Sequence, residues 1–276
     1  MNRLVQPELL DELPPDDPRA MWSRHDLRRI NAWMRNHAVM ARALRKQLNG
    51  RSDGTQTAAL FSDAEASGSR PRAATPALHI TDLGAGDGHF LLRVAKRISS
   101  RWPGVRVTLL DNRQIADGQT PARFASLGWH AEMVVADVFD WARKRSRRLR
   151  AGEWAEDQAT GRQDAGDPGV VIANLFLHHF DDVQLTELFR AVAGRARLFV
   201  ALEPQRAAWP LFCCRLLWAI GCNSVTRYDA AVSVRAGFSG RELSALWPKD
   251  PGWELTERRT GLFSHLFVAR KIQPAI

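Results

Sequence analysis

Cysteine is scarce in this chain, and so is uninterrupted apolar sequence. The three cysteines in 276 residues are Cys213, Cys214 and Cys222. Two of them are adjacent, and the set has neither the paired spacing of zinc ligands nor the even count of a disulfide framework. No metal centre is therefore expected, and the usage suits a reducing cytoplasm. The longest apolar stretch, 209–222 (WPLFCCRLLWAIGC), is broken by Arg215 and falls short of the ~20 residues that cross a bilayer. No apolar leader stands near the N-terminus, so neither secretion nor a membrane span is expected.

What is present allows one substantial core plus an appendage: 45% of the residues are hydrophobic. The net charge is +9, much of it local, in the run RKRSRRLR at 143–150. Two readings are open for that run. It is either a phosphate-binding patch or a solvated helix end that leads into a polar insertion. No aromatic residue interleaves it, so a stacking platform for single-stranded nucleic acid is missing. A nucleic-acid partner is accordingly not expected.

Three zones follow along the chain. Residues 1–48 open with LPPDDPRAMWSR, and Leu27, Ile30, Trp33, Met34, His37 and Leu44 then recur at roughly helical spacing, predicting a long helix over 26–48. This zone is read as an N-terminal helical cap. Residues 49–77 have the composition of a flexible linker, and 78–276 form the main domain, interrupted by the polar insertion at about 143–169. Within that domain β-rich runs alternate with helical ones, which implies a mainly parallel sheet covered on both faces. The strands expected are 78–83, 105–110, 133–136, 170–174 and 197–202. Two further runs, 253–259 and 263–270, predict a C-terminal antiparallel hairpin.

The first strand leads into ITDLGAGDGHF (80–90), and a helical pattern resumes over 89–98. Glycines on a strand-to-helix turn let a ligand approach the backbone, and the helix start offers free N–H groups. The spacing Gly84, Gly86, Gly88 with His89 next does not match the dinucleotide fingerprint G-x-G-x-x-G/A. A Walker A loop is excluded as well, because no Gly-Lys-Ser/Thr follows. Asp82 and Asp87 flank and enter the loop. Two carboxylates repel a pyrophosphate but suit a ligand that carries an ammonium or sulfonium.

Asp82-Leu83-Gly84-Ala85-Gly86-Asp87-Gly88 resembles motif I of the class I S-adenosylmethionine-dependent methyltransferases. The resemblance covers residues 78–271 and implies a Rossmann-like seven-stranded α/β sheet with a C-terminal antiparallel hairpin and an N-terminal helical extension. S-adenosylmethionine would be the cofactor, bound by Asp82, Gly84, Ala85, Gly86 and Gly88. Asp111 and Asn112, at the end of the second strand, would hold the ribose. Asp137 and Val138, after the third strand, would hold the adenine, although Asp137 also reads as a helix N-cap. Asn174 and Leu175 end the fourth strand, where a polar residue at the tip of a buried strand needs a partner.

The stretch NLFLHHF (174–180) makes His178 and His179 the candidate general bases, histidine having a suitable pKa. The other reading is that the pair packs around the cofactor without moving a proton. Candidate acceptor contacts are Trp22, His25, Trp33 and Met34 in the cap, Phe212 in the aromatic segment, and Tyr228 and Arg235 in YDAAVSVRAGF; each aromatic also reads as core. The sequence is similar to bacterial methyltransferases of quinols and polyketide phenols. The expected reaction is therefore O-methylation of a small aromatic or polyketide-like acceptor, as in secondary metabolism, by a monomer or homodimer. Carbon methylation of a quinol is the alternative. A nucleic-acid methyltransferase is a further one, disfavoured because NLFL replaces the D/N-P-P-Y/F of amino methyltransferases.

Overall fold

The computed structural model describes residues 1–14, 16–49, 78–113, 115, 118–143 and 169–272. Nearly all of the expected linker, of the basic run at 143–150 and of the polar insertion lies outside the described residues.

Seven strands form one sheet in the order β3-β2-β1-β4-β5-β7-β6. They are β1 (His79–Leu83), β2 (Arg106–Asp111), β3 (His130–Val135), β4 (Val170–Asn174), β5 (Leu198–Pro204), β6 (Trp253–Thr260) and β7 (Ser264–Lys271). β1 pairs with β2, and β2 with β3, in parallel. β6 and β7 form the expected antiparallel hairpin. Burial follows position in the sheet. β4 is covered up to Asn174 and β5 throughout, as unbroken Val/Ile/Leu/Phe runs require. β3 and β6 alternate between covered and open residues, the pattern of strands with one face in water.

The helices are α1 (Leu9–Glu12), α2 (Pro18–Met34), α3 (Asn36–Asn49), α4 (His89–Ile98), α5 (Thr120–Ala125), α6 (Asp182–Ala193), α7 (Ala208–Cys214), α8 (Ser224–Ala236) and α9 (Glu242–Leu246). α4 and the capped start of α6 fall where the periodicity places them, and the Asp181 carboxylate accepts the Gln184 N–H at 2.8 Å. The single helix expected over 26–48 is corrected to two. Its start moves back to Pro18, whose ring suits the first helical position, with the Asp17 side chain capping Arg19 N. Its break comes at Arg35, left-handed at φ 56°. Asn36 is buried there and its Oδ1 accepts the Ser264 hydroxyl at 2.8 Å. That tertiary contact leaves no mark in the apolar spacing.

The chain divides into two compact units. One comprises Met1–Met40, Ala173–Phe189 and Val200–Ile276; the other comprises Ala41–Ile172 and Arg190–Phe199. In the second, α4 buries Leu91, Leu92, Val94, Ala95 and Ile98. Trp129 is fully enclosed there, stacked 6.4 Å from Phe124, with its indole N–H donating to Trp102 O at 2.8 Å. In the first, Trp247 lies 5.2 Å from Phe189 and 5.6 Å from Phe267. No helix of the described residues is long and apolar enough to cross a membrane.

Candidate active site

The glycine loop belongs to the unit built on β1–β3. Gly84, Gly86 and Gly88 all have positive φ, 67°, 56° and 72°, a region that side chains other than glycine strain to enter. They differ in what surrounds them. A Cβ on Gly88 would stand 2.8 Å from a Leu109 methyl, whereas one on Gly86 would meet nothing within 4 Å. Gly88 is thus fixed by packing, while Gly86 faces open space that a ligand can fill. Ala85 donates its N–H to Leu110 O at 3.0 Å, tying the loop to the end of β2. Asp87 has a local task, its carboxylate accepting His89 N at 2.9 Å at the start of α4.

Asp111 ends β2 and grips the loop directly. One carboxylate oxygen accepts Gly86 N at 2.8 Å and the other accepts Arg113 N at 3.0 Å. Each oxygen has a second lone pair, so the same carboxylate can still accept hydroxyls. Asp82 is buried, and burial, reinforced by the charge of Asp111, pushes its carboxyl well above the usual carboxylate range. A buried acid pressed by a second carboxylate is stabilised by a nearby cation.

Asn112 is exposed in the turn after β2. Asp137 caps the helical turn at 138–143, its Oδ1 accepting Phe139 N at 2.7 Å and Asp140 N at 3.2 Å. This is the N-cap geometry, present whether or not the residue also meets adenine. Val138 is buried beside it.

A second cluster lies in the other unit, around the end of β4. Leu175 takes φ 52°, a strained value for a branched side chain, and its N–H donates to Leu202 O at 2.9 Å. The Asn174 Oδ1 before it is buried without a hydrogen-bond partner. A buried carbonyl oxygen so placed is costly unless a ligand or water supplies a donor.

His178 sits on the short 3₁₀ turn Leu177–His179 between two carboxylates. Its Nδ1 is 2.9 Å from Glu203 Oε2 and its Nε2 is 3.3 Å from Glu8 Oε1. Glu203, fully buried near the end of β5, also accepts Phe176 N at 3.1 Å and Leu177 N at 3.0 Å. Glu8 further accepts the hydroxyl of Ser233 on α8. Burial disfavours charge on His178, yet the bonds to Glu203 and Glu8 outweigh it and raise its pKa to about 9. Burial likewise opposes ionisation of Glu8, and the His178 bond overcomes that and holds it at about 2. The three groups therefore form an imidazolium clasped by two carboxylates, and His178 has no free lone pair with which to act as a base.

His179 differs. Burial first, then the His178 charge, lower its pKa, so its ring is neutral. Its Nδ1 is 3.5 Å from Asp11 Oδ2. Nearby, Asp229 accepts Leu9 N at 2.8 Å and Leu10 N at 3.0 Å, fastening α1. Burial, with help from the charges of Glu8 and Asp11, raises the Asp229 carboxyl to about 6. Glu8, His178 and His179 each bring one donor atom within 4.8 Å of the others. That spacing is compatible with a cation, but the His178 ring nitrogens already have carboxylate partners.

The candidate acceptor residues are spread over the same unit. Trp22 meets His25 edge-on at 6.3 Å, and Trp33 lies 5.5 Å from Phe263. Trp22, Trp33, Phe212 and Tyr228 all present much of their surface to solvent, and His25 is exposed too. Met34 and Arg235 are half-buried, and the Arg235 carbonyl accepts Leu4 N at 3.2 Å. Glu8, Glu203 and Ser233 were missed by sequence reasoning. Glu203 carried a usable signal, an acid at the end of a buried strand, as with Asp111. Glu8 and Ser233 carried none, because Glu8 meets both His178 and Ser233 across long stretches of sequence.

The sheet order, with a reversed last strand pair, is that of the class I methyltransferase fold. A plantazolicin methyltransferase, BpumL, solved with a monoazolic desmethylPZN analog and SAH, matches over 92% of this chain and 91% of its own, with a TM-score of 0.54 and 11% identity. An O-methyltransferase family protein from Burkholderia thailandensis covers 93% of this chain at TM-score 0.46 and 16% identity. The mitomycin 7-O-methyltransferase MmcR covers 71% at TM-score 0.44 and 17% identity. This chain spans 63% of the Burkholderia protein and 49% of MmcR. No family model and no curated protein sequence matches the chain.

Proposed function

We propose that this protein transfers a methyl group from S-adenosylmethionine to a hydroxyl of a small aromatic or polyketide-like acceptor. The observation that carries the reading is the Asp82–Asp111 pair beside the open Gly86. A buried acid, a second acid gripping the loop and a glycine with free space before it favour a ligand bearing positive charge and hydroxyls. The unpartnered Asn174 Oδ1 supports an amino-group donor at the end of β4. BpumL was solved with SAH, which agrees with this cofactor.

In this reading Gly84, Gly86 and Gly88 expose backbone to the cofactor and Asp111 accepts its ribose hydroxyls. Asp137 and Val138 bound the adenine, and Asn174 and Leu175 offer polar contacts to a ligand at the end of β4. The cofactor supplies an activated methyl on a sulfonium, so the protein mainly has to align the acceptor with it. His179 Nε2 takes the acceptor proton, and Asp11 orients the ring. His178 holds the turn in place, and burial together with the His178 charge keeps His179 neutral. Residues 1–48 contribute Glu8 and Asp11 to this cluster and act as the cap over the acceptor. The test is a screen with methyl-labelled S-adenosylmethionine against resorcinols, quinols and RNA. Label in a phenolic ether supports the reading, and label in RNA alone refutes it.

A further inference from the structure

Exposed apolar surface is concentrated on one short segment of the first unit. Between Ala208 and Ile220, α7 and the following 3₁₀ turn (Leu217–Ile220) leave Trp209, Phe212, Leu216, Trp218 and Ile220 open, with exposures of 52, 49, 48, 64 and 53%. Trp209 and Phe212 stand one turn apart on α7, their rings stacking at 5.9 Å, and Leu216 follows just past the helix end. Isolated exposed apolar residues are ordinary, but a cluster this dense marks an interaction surface.

Charge within the segment has one sign. No Asp or Glu occurs between Glu203 and Asp229, whereas Arg215 stands exposed in the middle of the segment. Two more arginines come from α2. Arg29 donates to Ile220 O at 3.2 Å, and the Arg19 carbonyl accepts Asn223 Nδ2 at 2.9 Å, fixing α2 against the end of the segment. Arg29 pairs with the buried Asp26 and Arg19 with Asp17, so Arg215 is the segment's own cation.

We propose that this face docks the protein on an anionic lipid surface. Tryptophan, phenylalanine and leucine with arginine at their edge is the composition that settles at headgroup depth, and each arginine near such a surface adds attraction to it. A second copy of the chain fits less well, because a two-fold contact would set the same acid-free, arginine-bearing segment against itself. The segment is too short and too charged to span, so the association is peripheral. The proposal stands on the surface alone. If the methyl-transfer reading also holds, docking brings the protein to acceptors dissolved in a bilayer.

The experiment is sedimentation of the full chain with vesicles of phosphatidylcholine, with and without phosphatidylglycerol. The parent should sediment with the phosphatidylglycerol vesicles, weakly with phosphatidylcholine alone, and less as salt rises. The double variant Leu216→Ser, Trp218→Ser should bind about tenfold or more weakly, and Arg215→Glu should lose the preference for the anionic lipid. These side chains are exposed, so melting temperature and S-adenosylmethionine binding should stay at parent values; if they do not, Arg215→Glu alone decides. A parent that ignores phosphatidylglycerol vesicles, or variants that bind like the parent, overturns the proposal. So does a dimer that the double variant dissolves with no vesicle binding by the parent, which gives the face to a second copy.

Discussion

Glu8 and His178 meet across 170 residues of chain, Oε1 to Nε2 at 3.3 Å. The contact ties the N-terminal segment to the turn after β4 and completes a buried carboxylate–imidazolium–carboxylate row with Glu203. It also sets the properties of the neighbouring His179, whose ring is kept neutral by burial and by the adjacent positive charge.

The first prediction concerns pH. Folding raises the His178 pKa from 6.5 to about 9, so its contribution is complete below pH 6.5 and is lost as pH rises through about 9. Glu8 falls from 4.5 to about 2, so its contribution is complete above pH 4.5 and is lost as pH falls through about 2. Melting temperature should therefore decline on the alkaline side towards pH 9. Glu8→Gln should lower the neutral-pH value and flatten that decline. A parallel decline in parent and variant would remove the clasp from the account.

The two histidines should separate kinetically. His179→Ala should cut turnover by ~100-fold or more with little change in melting temperature. His178→Ala leaves two buried carboxylates without their cation and should cost on the order of 3 kcal/mol of stability. Turnover with the labelled donor, set beside thermal melts of both variants, distinguishes the roles. Equal turnover in His179→Ala and parent would refute His179 as the base.

A third prediction tests the segment after β5. A Cβ on Gly237 would stand 2.3 Å from the Pro204 carbonyl oxygen, in a region where Phe238 N donates to Pro204 O at 2.9 Å. Gly237→Ala should destabilise by about 1–3 kcal/mol, read as a lower denaturant midpoint. An unchanged midpoint would mean that the two segments can separate freely.

Much of the fold was legible because it rests on local pattern. The unbroken apolar runs of β4 and β5, the helical stripe of α4 and the paired runs of the terminal hairpin each announce themselves within ten residues. The glycine loop and Asp111 were equally visible, since acids and glycines at strand ends have few other uses. What stayed hidden depends on distance in sequence. The break at Arg35 is set by Asn36 reaching Ser264, and the state of His178 is set by Glu8 and Glu203. The aromatics chosen as acceptor contacts show the same limit: periodicity places Trp33 on a helix, but does not say that the Trp22 and Trp33 rings face solvent.

The most direct test of the central claim is calorimetric titration of the full chain with S-adenosylmethionine and, separately, with NADH. S-adenosylmethionine should bind and NADH should not. Gly86→Val should abolish binding by filling the open space and straining a left-handed backbone, and Asp111→Ala should weaken it about tenfold or more. Binding of NADH but not S-adenosylmethionine, or full affinity in Gly86→Val, would contradict the assignment of this loop.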